Sequence, residues 1–312
     1  MTYIYTYVRH EDEHELCRLE MRALFGSDAR GPILRTDRYV PPSRSPFMRG
    51  VIHQVVEADS YEALLERVAE WEAPPNETVK IVSVNDVAYD EEPKWSHTHR
   101  RKIEREVGLA YNKAIDLVNP TIEFALLYYD GRWYGGPYEK GEAVWLHHQQ
   151  KPHSYSTALS TRVARAVVNI AVPTIDEVER VIDPCCGIGT VVVEALSMNV
   201  PIEASDINPL VCQGTRENIE HFGYEGVVTK RSIQQVNETY DVAIIDMPYN
   251  LFTHITEEEA YDIVRSARVI ANRLVVVTIE AMDDVLREVG WTIEDRAIAR
   301  KGTFERHVLI CT

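Results

Sequence analysis

Two short stretches of this sequence bring together residue types that a chemical site uses. The first is VIDPCCGIGT, Val181 to Thr190, in which Asp183 and Pro184 precede Gly187 and Gly189. Glycines let the backbone turn tightly and approach a ligand where a β-carbon would clash. Placed between a strand and a helix, such a loop suits a nucleotide-like ligand. A plain dinucleotide fingerprint asks for a third glycine at position 192, where the chain has Val192, and this weakens a nicotinamide-cofactor reading. Asp183, before the glycines, suits a ligand that carries an ammonium group, as S-adenosylmethionine does. The second stretch is DMPYN, Asp246 to Asn250. Methylating an aromatic amine needs a group that accepts its hydrogen bond, orients the nitrogen, and favours the positive charge that develops there. Asp246 can do all three. Pro248 stiffens the turn, Tyr249 offers a ring on which an extruded base can stack, and Asn250 either orients that base or caps the loop.

The spacing between these stretches supports a shared pocket. Twenty-three residues after Asp183 stands Asp206, followed by Ile207. A carboxylate at that strand end can accept hydrogen bonds from both ribose hydroxyls. In isolation Asp206 reads as a helix cap before Asn208 and Pro209; beside the glycine loop the ribose role prevails. After the next strand come Lys230, Arg231 and Ser232, where an acidic residue often meets an adenine amino group; Ser232 takes that place as a weaker polar contact.

The elements that must position these residues alternate strand and helix from about residue 180, the pattern of a parallel sheet with helices on both faces. ERVIDP, PIEASD, VVTKRS, YDVAIID and RLVVVTI read as five strands. TVVVEALSMN, NPLVCQGTRENIEHFG, TEEEAYDIVRSARVIA and DDVLREVG read as helices, the third opened by Thr256 and Glu259 at capping-box spacing. WTIEDRAIA and FERHVLICT have no helix between them and form an antiparallel hairpin. Before residue 180, TYIYTYVR and TVKIVSVN read as strands. EDEHELCRLEMRALFG reads as a helix stopped by Gly26, SYEALLERVAEW as another, and PPSRSPF as a loop. RRKIEREVGLAYNKAIDLV is expected to stay helical to Asn119-Pro120, and TIEFALLYYDGRWYGG to form a hairpin turning at Asp130-Gly131.

At 312 residues the chain has room for two domains. Hydrophobic residues make up 45% and charged residues 26%, ordinary values for a folded soluble protein. No tract is long and apolar enough to span a bilayer, and the N-terminus does not read as a secretory signal, so a cytoplasmic location is expected. The five cysteines contain no C-x-x-C pair, which suggests neither a disulfide framework nor a zinc site; Cys185 and Cys186 read as small buried residues of a tight loop rather than a redox pair. The formal charge is −16, with 18 basic against 25 acidic residues up to position 150 and 15 against 24 beyond it. Neither half is basic overall, so any nucleic-acid surface must be local. The candidates are His97 to Lys102, and Arg300, Lys301 and Arg306.

Together these residues resemble the methyltransferases that carry a glycine loop and a D/N-P-P-Y motif, with Met247 standing where that motif has its first proline. Within that class the chain most resembles the THUMP-domain RNA guanine-N2 methyltransferases that act on tRNA. IDLVNPTIEFALLYYDGRWYGG, Ile115 to Gly136, is similar to the last segment of a THUMP domain. HHQQKPHSYSTALSTRVARAVVNIA, His147 to Ala171, resembles the linker and leading helix before the glycine loop, and TYIYTYVRHEDEHELCRLEMRALFG is like a small ferredoxin-like subdomain. The resemblance implies an α/β fold: a Rossmann-like class I methyltransferase sheet with a C-terminal antiparallel hairpin, after a smaller THUMP-like and ferredoxin-like region. The implied organisation is an RNA-binding region over 1–145, a linker and leading helix over 146–172, and the methyltransferase domain over 173–312. It implies S-adenosylmethionine as cofactor, tRNA as substrate and no metal. Asp246, Pro248 and Tyr249 carry over as catalytic-loop positions, joined by Asn250 from the reading above. Asp183, Gly187, Gly189 and Asp206 carry over as cofactor positions, to which Pro184, Thr190, Ile207 and Ser232 add themselves as neighbours. Some members act with a small partner protein; the sequence leaves that need, and the oligomeric state, open. Adenine N6 makes the same geometric demand on Asp246, so N6-adenine methylation is the alternative acceptor chemistry. An RNA-binding or scaffold protein that keeps the fold without catalysis is the alternative of another class, and a small-molecule methyltransferase the third.

Overall fold

Strand β1 (Thr2–Tyr7) and helix α1 (His14–Phe25) are neighbours in sequence, yet they belong to different parts of the computed structural model. The structure describes residues 1–28, 31–84, 95–248, 256–302 and 304–312. Unit 1 is Met1–Val8, Ala29–Ser43 and Phe47–Glu142; unit 2 is Arg9–Asp28, Arg44–Pro46 and Ala143–Thr312. Within the expected N-terminal region 1–145, Arg9–Asp28, Arg44–Pro46 and residues 143–145 fall in unit 2.

Unit 1 continues with β2 (Ile33–Thr36), β3 (Met48–Gln54), β4 (Val56–Ala58), α2 (Tyr61–Glu70), β5 (Val79–Ser83), α3 (His97–Tyr111), β6 (Ile122–Tyr129) and β7 (Arg132–Lys140). Its sheet runs β2-β1-β3-β7-β6-β5, with β4 also paired to β7. Asp130 and Gly131 both take positive φ, 51° and 73°, the geometry that matches a two-residue turn to the strand twist. Successive residues of β6 point to opposite faces and both faces are buried: Phe124 and Leu126 pack with Val79, Val107 and Leu64, while Ala125 and Leu127 pack with Ile4 and Ile52. Helix α3 does not run to Asn119-Pro120. It ends where Asn112 turns left-handed, φ 42°, and its N–H donates to the Gly108 carbonyl. Beyond it Ile115 bridges Val79, and the Asp116 carboxylate accepts the N–H groups of Val118 and Asn119, a local alternative to helix that Asp side chains offer.

Unit 2 holds α1, α4 (Val144–His147), α5 (Thr161–Ala171), β8 (Val181–Asp183), α6 (Thr190–Ser197), β9 (Ile202–Asp206), α7 (Pro209–His221), β10 (Val227–Lys230), β11 (Tyr240–Asp246), α8 (Glu257–Ile270), β12 (Ala271–Thr278), α9 (Asp283–Val289), β13 (Ile293–Lys301) and β14 (Phe304–Cys311). The strand order is β10-β9-β8-β11-β12-β14-β13. The first five run parallel, and β14 is antiparallel to both β12 and β13. The order reverses between β8 and β11, the crevice where open α/β sheets bind ligands at their carboxyl ends. Thr256 and Glu259 form the expected capping box on α8. One side of the sheet packs Ile182, Ala243, Ile245, Leu274 and Val276 against α8 and α9, with Trp291 fully covered and its indole N–H on the Val264 carbonyl. Helix α1, stopped by left-handed Gly26, packs on α5 and β13. Its buried Glu20 accepts hydrogen bonds from Ser45 Oγ (2.5 Å) and Asn169 Nδ2 (2.6 Å).

Candidate active site

Asp183, Asp206 and Asp246 are the last residues of β8, β9 and β11, so the parallel sheet delivers three carboxylates to one edge. Beside them lies a cavity of about 1050 Å³, at the upper end of small-ligand clefts, which run roughly 300–1,000 Å³. Asp183, Pro184, Gly187, Thr190, Asp206, Ile207, Ser232, Asp246 and Pro248 all line it. Tyr249 and Asn250 lie outside the described residues.

The loop after β8 owes its path to its two glycines. Both have positive φ, 52° at Gly187 and 76° at Gly189. A β-carbon on Gly187 would run into the Tyr155 hydroxyl, and one on Gly189 into the Thr215 methyl of α7. Gly189 therefore serves the close approach of α6 and α7, and the cavity is lined without it. Asp206 accepts the Gly187 N–H on Oδ2 (3.1 Å) and the Asn208 N–H on Oδ1 (2.9 Å). It thus fastens the loop and the turn at once, while Asn208 is the cap of α7.

Electrostatically the cavity is rich in buried carboxyl groups whose charges act on one another. Burial raises the Asp183 carboxyl well above the usual range, and the charges of Asp246 and Asp206 push it further in that direction. Burial raises Asp246 to about 7, against the lowering pull of Arg306. The Cys185 and Cys186 thiols are pushed far up, chiefly by burial, so neither is a thiolate nucleophile. Two buried oxygens at the cavity, Asp246 Oδ1 and Thr190 Oγ1, have no hydrogen-bond partner among the described residues. Buried polar atoms are rarely left so, and these fit a ligand that brings donors. Ile207, 70% exposed, adds an apolar face. Clustered carboxylates, unpaired oxygens and an apolar shelf suit a cationic nucleoside, and S-adenosylmethionine, with its sulfonium and ammonium charges, is one.

Met247 explains its own place. Its side chain is buried in the core under α8, and its N–H donates to the Val277 carbonyl at 2.8 Å. A proline there would lack that N–H, so the ladder of β11 extends one residue beyond Asp246. Tyr155, Ser156 and Thr157, and Glu259 and Asp262 on α8, also line the cavity; of these only Glu259 was singled out from the sequence, and there as a helix cap rather than a site residue. Several cationic side chains of the two basic stretches have partners or are covered. Arg101 and Lys102 pair with Glu104 and Glu106, Arg300 pairs with Glu305 and Glu15, and Arg306 is buried.

Comparison with known proteins agrees with this geometry. Residues 148–293 match the model of the UPF0020 family, described as an RMKL-like methyltransferase domain. Residues 148–293 form a methyltransferase domain. Its fold is that of the class I enzymes, which take S-adenosylmethionine as the methyl donor, and TrmN from Thermus thermophilus aligns over 100% of this chain and 99% of its own, with a TM-score of 0.52 at 18% identity. Curated relatives match part of the chain. The chain is 29% identical over 119 residues to the tRNA (guanine(10)-N2)-dimethyltransferase of Methanothermobacter thermautotrophicus, covering 37% of this chain and 35% of that one. It is 29% identical over 110 residues to the enzyme of that name from Pyrococcus abyssi, covering 33% and 32%. The matches thus span about a third of the length of these relatives. Among the described residues no helix is long and apolar enough to cross a membrane.

Proposed function

We propose that this chain transfers a methyl group from S-adenosylmethionine to the exocyclic N2 of a guanosine in tRNA, with the base turned out of its stack. The observation that carries this reading is the buried Asp246 carboxylate, whose unpartnered Oδ1 belongs to a residue lining the same cavity as the glycine loop. When bound, S-adenosylmethionine supplies an electrophilic methyl group on a sulfonium. Asp183 faces its ammonium end, Asp206 its ribose, and Ile207 and Ser232 flank its base. Gly187 lets the ligand lie against the backbone, and Pro184 and Thr190 shape the loop on either side. The guanine N2 lone pair is delocalised into the ring, so position matters more than strong base catalysis. Asp246 accepts a hydrogen of the amino group, turns the nitrogen toward the methyl, and favours the charge that develops on it. Pro248 stiffens the turn, Tyr249 offers a ring on which the base can stack, and Asn250 either orients the base or caps the loop.

The names of the two curated relatives support tRNA and guanine N2 as acceptor, and a tRNA substrate agrees with a cytoplasmic location. Unit 1, by its resemblance over Ile115 to Gly136, holds the RNA and presents it by shape.

Asp246→Ala tests the reading. Methyl transfer should fall by about a hundredfold to a thousandfold or more, while binding of S-adenosylhomocysteine, followed by calorimetry, stays close to that of the unaltered protein. Equal loss of binding and transfer would assign Asp246 to the pocket's structure instead.

A further inference from the structure

One wall of the cavity, Tyr155 to Leu159, belongs to no helix or strand and is held by side chains from elsewhere in unit 2. At its approach, Asn218 of α7 accepts the His153 N–H on Oδ1 (2.9 Å) and donates through Nδ2 to the carbonyls of His153 (3.0 Å) and Ile188 (2.9 Å). Further along, Arg306 Nη2 donates to the Thr157 carbonyl at 2.9 Å. Arg306 comes from β14, and the ladder fixes where it stands. Asp246 pairs with Val277, and Val277 with Val308, one rung across β11, β12 and β14. Paired residues share a face, and residues two apart on a strand do too. Arg306 therefore lies on the face of Asp246, just past the end of β11. Its guanidinium carbon is 4.8 Å from the Phe304 ring centroid, the residue is only 9% exposed, and its charge acts on Asp246.

We propose that Arg306 is a positioning residue of the methyl-transfer site, fastening the cavity wall at Thr157 to the closing hairpin and standing as the buried counter-charge of the Asp246 carboxylate. This role rests on Asp246 being the acceptor-binding group. Among the described residues, the other groups whose charges couple to that carboxylate are acidic or neutral: Asp183 at the end of β8, the Cys185 thiol of the glycine loop and the Tyr155 phenol of the wall, with Asp206 at the end of β9 lining the same cavity. Glu259 and Asp262 of α8 line the same cavity. In such company a buried carboxylate takes up a proton at neutral pH, and a protonated Asp246 holds the amino nitrogen less well. A cation behind it opposes that protonation without occupying Oδ1, which stays open to the acceptor.

The test is a pH titration of Asp246 in the full chain by carbon-13 NMR of labelled aspartate carboxyls, with Asp246→Asn identifying the resonance. The expected midpoint in the unaltered protein is about 7. Arg306→Gln should raise it by about one pH unit or more, and so should Arg306→Met, which keeps the stem's packing should the glutamine variant fold poorly. Arg306→Lys, which keeps the charge, should stay near the original midpoint. The acid limb of methyl transfer to total tRNA should move with the midpoint. An unmoved midpoint in folded Arg306→Gln or Arg306→Met overturns the proposal, and so does an equal rise in Arg306→Lys. The titration uses neither methyl donor nor RNA, so a wrong acceptor would leave its outcome intact.

Discussion

Asp246 has to be ionised to hold an amino hydrogen, and burial raises its carboxyl to about 7. The sign follows directly. A carboxyl raised toward neutrality is protonated below that value, so transfer should be weak in mild acid and rise as the pH passes through about 7. Single-turnover transfer rates measured across neutral pH check this. An acid limb near the ordinary carboxylate range of about 4 would mean that the rate depends on another group. Asp183, also raised, chiefly by burial and then by two neighbouring carboxylates, is poised to change its ionisation when a cationic ligand enters, since an opposite charge favours the carboxylate form.

At the scale of elements, the two glycines of one loop do different work. Gly189 faces the buried Thr215 of α7, whereas Gly187 faces the movable end of Tyr155. Gly189→Ala should cost roughly 2–4 kcal/mol, the sum of left-handed strain and overpacking. Gly187→Ala should cost only about 1–2 kcal/mol of strain but weaken S-adenosylhomocysteine binding more. Urea unfolding and calorimetric binding separate the two, and equal stability losses would contradict the assignment. Most of unit 2 was legible because the three candidate carboxylates, Asp183, Asp206 and Asp246, each end a strand in a long alternation of strand and helix, and the Thr256 to Glu259 box marks α8 unambiguously. Strands β2, β3 and β4 escaped notice: β2 and β4 are only 4 and 3 residues long, and β3, MRGVIHQ, is interrupted by a glycine. The end of α3 was set by the left-handed Asn112 rather than by the proline eight positions on. Tyr155 and Thr157 carry no local signature at all; they matter through Gly187 and Arg306, which lie far from them in sequence.

For the molecule as a whole, the catalytic unit includes a helix from the start of the chain. Arg22 of α1 pairs with Asp295 of β13 (2.8 Å), Glu15 pairs with Arg300 (3.2 Å), and Asn169 of α5 donates to Glu20. A fragment beginning at Ala143 would leave bare the faces of α5 and β13 on which α1 packs and deprive Asn169 of Glu20. It should be poorly soluble or melt well below the full chain by circular dichroism. A fragment as stable as the full chain would show that α1 adds nothing to the unit. The net charge of −16 makes general attraction to RNA weak, so the proposed RNA recognition would have to be local and shape-based. The most direct measurement is incubation of the full chain with radiolabelled S-adenosylmethionine and total tRNA, followed by digestion to nucleosides. Label in N2-methylguanosine is the expected result. Label in N6-methyladenosine, or none in any nucleoside while S-adenosylmethionine still binds, would contradict guanine N2 as the acceptor.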